Sequence, residues 1–257
     1  MIAYFLSDLH LGAPYFPDSR AAELKVVRFL DSIRHDADAI YLVGDILDYW
    51  YEYRYVVPRG FVRFFGKLAE LADSGIKIYW YIGNHDIWIF DYLPSELGIK
   101  VIPTFSIEDI DGKKFYLTHG DGIGKLKPSF KFLRALFRNK FCQSLFSAIH
   151  PRWTIPFALG WSRGSRAKDS FPQYLGEGKE CLEEFAKHYD DGRHIDFFVF
   201  GHRHIMLDKR LDNGSQLVIL GDWIHFCSYA VFDGENLALK TFNNEQIARK
   251  CTGNKRF

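Results

Sequence analysis

The sequence predicts an α/β protein built around a mixed β-sheet. In the first half, short apolar runs alternate with longer amphipathic stretches, which is the pattern of strand–helix–strand units with parallel pairing. In the second half, turn sequences at 212–214 and 233–234 separate strand-like runs, as they do in antiparallel hairpins. The 257 residues are 47% hydrophobic and 25% charged, which suits one large globular domain and excludes disordered, collagen-like and disulfide-stapled proteins.

The individual elements follow from the same periodicity. The short apolar runs predict strands at 2–7, 39–43, 76–82, 113–118, 196–200, 216–220, 228–232 and 236–242. The longer amphipathic stretches predict helices at 21–35, 59–74, 128–149 and 173–190. Pro128 suits the first turn of the third helix, where its missing N–H costs no hydrogen bond. The polar residues 244–257 are expected to form a loose tail.

The charge of the chain is balanced overall but concentrated in one segment. The 33 basic and 32 acidic residues nearly cancel, so the total favours no class of partner. Within 122–172, however, ten basic residues accompany a single acid, Asp169, so this segment carries +9 and the remainder −8. The basic residues are Lys125, Lys127, Lys131, Arg134, Arg138, Lys140, Arg152, Arg163, Arg166 and Lys168.

The same segment is rich in large apolar residues, and its predicted helix has two interpretations. On a helical wheel, Lys131, Arg134 and Arg138 form a narrow stripe, with Phe130 and Phe137 beside it. One interpretation is a buried helix with one solvated stripe. The other is a lipid-facing surface, because anionic head groups attract Lys and Arg. No nucleic-acid-binding motif accompanies the charge, so no nucleic-acid partner is expected.

The cysteines and the start of the chain indicate a cytoplasmic protein. Cys142, Cys181, Cys227 and Cys251 lack paired spacing, so neither a zinc knuckle nor a disulfide framework is expected. No basic region and cleavage site of a secretory signal are visible, and no apolar run reaches the roughly 18 residues of a membrane span.

Acids, an amide and histidines directly follow five of the predicted strands. They are Asp8 and His10, Asp45 and Asp48, Asn84, His85 and Asp86, His119 and Asp121, and His202 and His204. In α/β folds, ligands collect at the carboxyl ends of strands. Divalent ions of the Mn, Fe or Zn type accept mixed carboxylate and imidazole ligands, and an Asp can bridge two of them. Gly44, Gly83 and Gly201 permit tight turns close to such ions. Two ions about 3.5–4 Å apart stabilise in-line attack at phosphorus, so the sequence predicts a two-metal site.

The ordered set of motifs resembles the calcineurin-like metallophosphoesterase superfamily, whose pattern is D-x-H, G-D-x-x-[DE], G-N-H-[DE], an isolated H and G-H-x-H. The resemblance implies a four-layer α/β/β/α sandwich that binds two divalent ions. Its metal ligands, carried over by motif, are Asp8, His10, Asp45 and His204 for one ion, with Asp45 bridging to a second ion completed by Asn84, His119 and His202. Asp48, Asp86 and Asp121 are expected to orient the histidines.

A narrower resemblance is to the UDP-2,3-diacylglucosamine pyrophosphatases of lipid A biosynthesis. It is carried by the sequences Ser7-Asp8-Leu9-His10-Leu11, Gly44-Asp45 with Trp50 close behind, His119-Gly120-Asp121 and Leu220-Gly221-Asp222-Trp223. That family hydrolyses its substrate at the α-phosphorus, giving lipid X and UMP. The resemblance implies a core of residues 1–121 and 173–243 and a helical cap, 122–172, over the acyl chains.

The same resemblance implies the cofactors, location and further site residues. Manganese is expected, with iron and zinc as alternatives, in a cytoplasmic protein on the inner face of the inner membrane. Ser165, Arg166 and Lys168 are expected to meet the sugar phosphate beside Asn84 and His85. Two alternatives are a metallophosphoesterase that acts on a soluble phosphoester and a non-enzymatic membrane- or protein-binding scaffold; the sequence leaves the oligomeric state open.

His85 departs from the narrower family, whose best-known members carry Arg at this place. Histidine is the general superfamily form, and it indicates either a general acid that protonates the leaving oxygen or an electrostatic stabiliser of phosphate. His225, close behind the fourth motif quoted above, either edges the site or packs beside it. His35, His150, His188 and His194 match no motif and are assigned to the surface or to packing.

Overall fold

Two β-sheets packed face to face form the centre of the molecule. The structure is a computed structural model that describes residues 1–14, 16–124, 128–166 and 173–242, with the side chains of 161–166 left out of that description. The strands are β1 (Ala3–Leu6), β2 (Ala39–Val43), β3 (Lys77–Tyr81), β4 (Lys100–Ile102), β5 (Phe105–Ile110), β6 (Lys113–Thr118), β7 (Phe197–Phe200), β8 (Met206–Arg210), β9 (Gln216–Leu220), β10 (Ser228–Phe232) and β11 (Leu237–Thr241). The first sheet has the order β11-β10-β1-β2-β3-β4 and the second β5-β6-β7-β9-β8.

Helices cover the outer face of each sheet. They are α1 (Ser19–Ile33), α2 (Val62–Asp73), α3 (Tyr92–Leu97), α4 (Pro128–Arg138), α5 (Lys140–Ser147), α6 (Pro151–Arg166) and α7 (Cys181–His188). The apolar faces of α1, α2 and α3 pack on the first sheet, and α7 packs on the second. The expected four-layer α/β/β/α sandwich is therefore confirmed.

The sheets meet through aromatic side chains. Phe5 stacks on Tyr41 with ring centroids 4.9 Å apart and on Phe115 of the opposite sheet at 5.6 Å. Phe115 also meets Phe197 and Phe232 within this layer. Large rings bury much apolar surface per residue, so the aromatic residues, which are 17% of the chain, contribute strongly to the core between the sheets.

Strands β1, β2, β3 and β4 are parallel, as are β6, β7 and β9, whereas β10 and β11 form the predicted hairpin. Every predicted strand is present. The prediction missed the three-residue β4 and two edge strands of the second sheet, β5 and β8. Each edge strand pairs on one side only and carries exposed polar side chains, so it lacks the apolar run that would mark it in the sequence.

Two predicted helices have different bounds in the structure. The stretch 128–149 divides at Asn139, whose side chain accepts hydrogen bonds from the N–H groups of Phe141 and Cys142 and so begins α5. The stretch 173–190 becomes helical only at Cys181, because Gly176 and Gly178 adopt positive φ angles that no α-helix contains. Helices α3 and α6 were not predicted.

Helices α4, α5 and α6 lie over the loops at one end of the sandwich. Phe137, Phe146, Ile155 and Leu159 of these helices pack against an aromatic cluster that includes Trp88. No residue of α4 is fully buried, so the interpretation of this stretch as a buried helix is wrong. In the described ranges, none of the helices combines the length and hydropathy that crossing a membrane requires.

Candidate metal centre

The predicted ligand residues meet where the two sheets end. The loops after β1 and β2 are joined by backbone hydrogen bonds from Asp8 N–H to Gly44 O and from His10 N–H to Asp45 O, at 3.1 and 3.0 Å. The loop after β7 joins them, because the N–H of His202 donates to Asp8 Oδ2 at 2.9 Å. Parallel strands deliver their carboxyl ends to one edge, and here both sheets do so at the same place.

Three histidine rings face the carboxylates of Asp8 and Asp45. His204 Nε2 lies 3.2 Å from Asp8 Oδ1, and His119 Nε2 lies 3.3 Å from Asp45 Oδ2. His10 Nε2 lies between them, 3.5 Å from Asp8 Oδ1 and 3.7 Å from Asp45 Oδ2. Two sets of candidate ligand atoms, each within 4.8 Å of one another, therefore share Asp8. They are Asp8, His10 and His204, and Asp8, Asp45 and His119.

Each of these histidines has an acceptor at its other ring nitrogen. Nδ1 of His119 lies 3.0 Å from the carbonyl oxygen of Val43, and Nδ1 of His204 lies 3.1 Å from Asp222 Oδ2. Nδ1 of His10 faces Asp48 Oδ1 at 3.3 Å. A carbonyl or a carboxylate oxygen only accepts, so when each ring is in its neutral form its hydrogen resides on Nδ1. Nε2 then presents its lone pair to the centre, as a metal ligand must.

Backbone strain is concentrated at the candidate ligands. Asp8, His10, Asp45, His202 and His204 all have φ between 44° and 66°, in the left-handed region that residues other than glycine adopt infrequently. Each such residue costs about 1–3 kcal/mol, and surrounding contacts must hold it there. This concentration of strain at one spot marks it as a functional site rather than a packing core.

Two glycines let the loops approach this closely. A Cβ at Gly201 would lie 1.9 Å from Ser7 Oγ and 2.7 Å from Asp8 Oδ2. A Cβ at Gly83 would lie 2.2 Å from Asp45 Oδ1. Neither position has room for a side chain beside these carboxylates.

Burial and charge set the ionisation of the centre. Burial alone would raise the pKa of Asp8 and of Asp45, but the neighbouring histidines hold both pKa values below the usual range. The two carboxylates therefore remain ionised although they are almost completely buried. Burial, reinforced by the nearby ring of His119, lowers the pKa of His202 to about 4, so that ring is neutral at pH 7. Burial alone would lower the pKa of His119, but the carboxylates of Asp45 and Asp8 raise it well above the usual value, so this ring must release a proton when it binds a cation. Ionised carboxylates together with imidazoles form a donor set for divalent cations.

Several buried polar atoms of the centre have no hydrogen-bond partner among the residues the structure describes. They are Asp8 Oδ1, Asn84 Oδ1 and His119 Nε2. Leaving such atoms unsatisfied is costly in a protein interior. All three are good metal-ligand atoms, so the residues present fit a divalent metal centre. His202 belongs to neither set above, and its ring lies 5.2 Å from that of His119.

His85 lies beside the candidate ligands. Its ring centroid is 4.9 Å from that of His10, and its ligand atom groups with those of His10 and Asp45 within 4.8 Å. Its Nδ1 is 3.0 Å from the carbonyl oxygen of Asp48, which places the hydrogen of the neutral ring on Nδ1. Its backbone N–H donates to Asp45 Oδ1 at 2.8 Å, so the loop that carries His85 also steers that carboxylate.

The three acids expected to orient histidines have different partners. Asp48 does face the rings of His10 and His85. Asp86 instead accepts hydrogen bonds from the backbone of Gly83 and Ile46, and burial raises its pKa to about 6. Asp121 accepts from Arg134 Nε of α4 at 3.0 Å and so connects the centre to the overlying helices.

Asp222 performs the orienting role that the sequence analysis did not assign to it. It accepts from His204 Nδ1 and from His225 Nδ1, which is 2.9 Å away. It also follows the buried strand β9, so a sixth strand end contributes a polar residue to the site. Its position directly after an apolar run is the feature of the sequence that could have identified Asp222 as a site residue. His225 consequently lies at the edge of the site.

The helices above the centre are hydrogen-bonded to the loops that form it. Tyr51 donates to Gln143 O at 2.5 Å, and Trp88 Nε1 donates to Phe137 O at 2.9 Å. The hydroxyls of Tyr53 and Thr154 share a hydrogen bond of 2.6 Å. Of the residues expected to meet the sugar phosphate, Lys168 and the side chains of Ser165 and Arg166 lie outside the described part of the chain.

Several known proteins are similar to this chain over most of its length. The family model for calcineurin-like phosphoesterase matches residues 1–206. A protein of Porphyromonas gingivalis named UDP-2,3-diacylglucosamine hydrolase is 43% identical over 256 residues, which cover 94% of this chain and 97% of that one. A protein of Neisseria meningitidis with the same name is 26% identical over 240 residues, covering 91% and 95%. The solved structure of a dimetal phosphatase from Danio rerio aligns with a TM-score of 0.44 and 13% identity, over 95% of this chain and 99% of that one.

Proposed function

The chain belongs to the calcineurin-like phosphoesterase family and is a hydrolase, and we propose that it cleaves the pyrophosphate bond of UDP-2,3-diacylglucosamine in lipid A biosynthesis. Cleavage at the α-phosphorus releases UMP and the acylated sugar phosphate, lipid X. The observation that carries this proposal is the 43% identity, over nearly the whole of both chains, to a protein named for that activity. The cluster of candidate metal ligands supports it independently.

In this proposal Asp8, His10, Asp45 and His204 hold one divalent ion, and Asp45, Asn84, His119 and His202 hold the other. Manganese is the proposed metal, with iron and zinc as alternatives. When bound, such ions neutralise phosphate charge and make water more acidic. The protein contributes buried ionised carboxylates and three imidazoles whose Nε2 atoms face inward. Asn84 and His85 contact the phosphate from the loop after β3.

His85 is the proposed catalytic side chain that carries a proton. Nδ1 faces the Asp48 carbonyl. Nε2 is the atom proposed to contact the phosphate, and in the doubly protonated ring it would give its proton to the leaving oxygen. Asp48 holds the ring in this orientation, as it does that of His10. Ser165, Arg166 and Lys168 are proposed to bind the sugar phosphate from the neighbouring segment.

Helices α4, α5 and α6 are proposed to cover the acylated part of the substrate and to contact the membrane surface from the cytoplasm, as part of a cap insertion at 122–172. Large apolar side chains are exposed on these helices, with Phe141, Trp153 and Phe157 each about two-thirds accessible to solvent. Lys131, Lys140 and Arg152 are exposed beside them. Exposed apolar groups among basic residues suit an interface with anionic lipid.

Substrate selectivity tests the proposal. The metal-loaded protein is assayed against UDP-2,3-diacylglucosamine and, as a matched compound without the acyl chains, UDP-N-acetylglucosamine. Because acyl groups far from the reacting bond supply binding energy that can be used in the transition state, the acylated compound should have a kcat/KM at least about a hundredfold higher. Equal values for the two compounds would replace the lipid substrate by a soluble phosphoester.

A further inference from the structure

The loop between β7 and β8 carries two of the proposed metal ligands with an arginine between them. His202 and His204 lie beside the other candidate ligands, whereas the side chain of Arg203 points the other way, towards α7. Both histidines have positive φ angles, of 66° and 52°, so the loop needs contacts that hold this costly conformation. Its backbone supplies one of them, because the N–H of Arg203 donates to Gly201 O at 2.7 Å.

The side chain of Arg203 forms a two-point ion pair with a buried carboxylate. Its Nε lies 2.8 Å from Glu180 Oε1, and its Nη2 lies 3.2 Å from Glu180 Oε2. Glu180 has no exposed surface, and it directly precedes Cys181, the first residue of α7. A guanidinium that meets both oxygens of one carboxylate is fixed in direction as well as in position, which the single ammonium of a lysine does not achieve.

The first turn of α7 also supports the ligand-bearing loops by packing. Leu182 belongs to the same buried cluster as Ile205, the last residue of the loop between β7 and β8. Leu182 lies against the loop after β6 as well, since a Cβ at Gly120 would be 3.1 Å from its side chain and 3.8 Å from the Cβ of His202. Gly120 directly follows His119, another candidate ligand. The start of α7 is therefore in contact with both loops.

Stability alone does not explain a buried ion pair at this place. Removing two charges from water costs free energy that their attraction recovers only in part, and apolar residues of similar size often stabilise a fold as well or better. Leu182 and Ala186 of α7 already supply apolar contacts to the second sheet. The ion pair adds direction, because hydrogen bonds fix angles and apolar contacts do not. It acts on the one residue that lies between two candidate ligands.

We infer that Glu180 and Arg203 are positioning residues of the metal centre. Glu180 holds Arg203, and Arg203 holds the loop in the conformation that turns His202 and His204 towards Asp8. This inference rests on the proposed metal ligation, in which His204 belongs to one ion and His202 to the other. Loss of the ion pair should therefore weaken the binding of both ions, although neither of the two side chains touches a metal ion.

The test is a titration of chelator-treated protein with cobalt(II), followed by calorimetry and by the visible absorption of the bound ion. Cobalt accepts carboxylate and imidazole ligands, and its absorption depends on how the ligands are arranged around it. No substrate is present, so the result does not depend on whether the substrate is a lipid. Wild-type protein that bound no cobalt would overturn the proposed metal centre together with this inference.

The combined changes Glu180→Leu and Arg203→Met replace the ion pair by apolar side chains and leave no unpaired charge behind. Thermal stability should stay the same or rise. Cobalt affinity should nevertheless fall about tenfold or more at both sites, with a changed absorption spectrum, as is usual when a residue that orients ligands is lost. Wild-type affinity with a wild-type spectrum would overturn the inference, whatever the stability.

The single changes show whether the two side chains act as one unit. Glu180→Leu and Arg203→Met each break the same ion pair, so each should lower cobalt affinity by about as much as the two together. Losses that add up in the double variant would show two independent effects, and that result would overturn the pairing.

The matched control is Lys209→Gln, which removes another ion pair of α7. Lys209 of β8 contacts Glu183 at 2.7 Å, so this change loosens the same helix without altering the loop between β7 and β8. Its cobalt affinity and spectrum should match those of the wild type even though its thermal stability falls. If Lys209→Gln lost as much affinity as the double variant, a general loosening of α7 would explain both results, and the ion pair of Glu180 and Arg203 would have no positioning role.

Discussion

At the scale of single residues, strain and hydrogen bonding together mark the centre. The candidate ligands adopt left-handed backbone conformations that cost energy, and their side chains are aimed by Asp48, Asp222 and the carbonyl oxygen of Val43. Such outer contacts decide which nitrogen of an imidazole is available and where it points. The geometry of the centre therefore depends on residues that would not bind a metal themselves.

Asp45→Ala should remove most activity and lower metal content, because the carboxylate that faces both His10 and His119 is lost. Activity against a small aryl phosphodiester and elemental analysis of the purified variant check this together. Near-normal turnover with two metal ions per chain would contradict the proposed bridging role.

Asp222→Asn should weaken metal binding without destroying the centre. The amide keeps the shape of the side chain but replaces the charged acceptor that orients His204, and losses of about 10–100-fold in metal affinity are usual for such changes. The metal concentration for half-maximal activity measures this. Asp212→Asn, in an exposed turn, is the matched control, and an unchanged metal requirement in both variants would remove Asp222 from the positioning role.

At the scale of elements, helix α7 is attached to the edge of the second sheet by buried charge. Glu183 of α7 contacts Lys209 of β8 and Lys187 of its own helix at 2.7 and 2.9 Å, and it accepts a hydrogen bond from Tyr174. Burial alone would raise the pKa of this carboxyl, but these partners lower the pKa to about 2. The contacts of the folded state therefore stabilise the ionised form of Glu183 relative to the unfolded chain.

Glu183→Gln should therefore change how stability depends on pH. The contribution of Glu183 is fully present above the ordinary glutamate pKa of 4.5 and is lost as pH falls towards 2. We expect the variant to lose about 2 kcal/mol of unfolding free energy at pH 7 and to converge with the wild type near pH 2. Urea unfolding at a series of pH values, with chelator present, measures this; Glu96→Gln on α3 is the control. If the unfolding free energies of the wild type and of Glu183→Gln depended on pH in the same way, the charge of Glu183 would contribute little to stability.

At the scale of the whole molecule, the basic residues of the segment 122–172 fall into two groups, those that attach the helices to the core and those that are exposed to solvent. The +9 segment includes helices α4, α5 and α6, which lie over the centre, but its arginines serve different purposes. Arg134 pairs with Asp121, and Arg138 donates to the carbonyl oxygen of Pro103, so both attach the helices to the core. Lys131, Lys140 and Arg152 are the exposed charges of this segment in its described part.

Reversing those three charges should weaken binding to anionic membranes. Each basic residue near an anionic surface contributes about 1 kcal/mol, so Lys131→Glu, Lys140→Glu and Arg152→Glu together should reduce vesicle affinity by about a hundredfold or more. Flotation with phosphatidylglycerol vesicles at low and high salt measures this. The control carries Glu at Lys77, Arg210 and Lys240, outside the helices. Binding that is absent, or insensitive to salt and to charge reversal, would contradict a membrane surface here.

The residue patterns by themselves predicted a mixed α/β sheet and placed the candidate ligands after its strands, whereas the four-layer sandwich was implied by the resemblance to a known family. A strand that is buried on both faces appears in the sequence as an apolar run. The residues that follow such strands lie at one edge of the sheet because parallel strands end together. The edge strands β5 and β8 escaped prediction, since a strand exposed on one side needs no such run. The stretch 128–149 divides at Asn139 because this residue caps the start of α5. The position of α5 depends in turn on its contacts with loops of the core, such as the hydrogen bond from Tyr51 to Gln143 O.

Only the tertiary structure decided which charges and rings meet. Asp222 and His204 belong to different strand ends, and nothing in their spacing pairs them; they meet because β7 and β9 are neighbours in the sheet. In the same way, Arg134 and Arg138 share a helical stripe with Lys131, yet the packing of α4 turns them to the core and leaves Lys131 in solvent. Periodicity reports how much of each residue is covered, whereas the identity of its partner depends on which elements pack together.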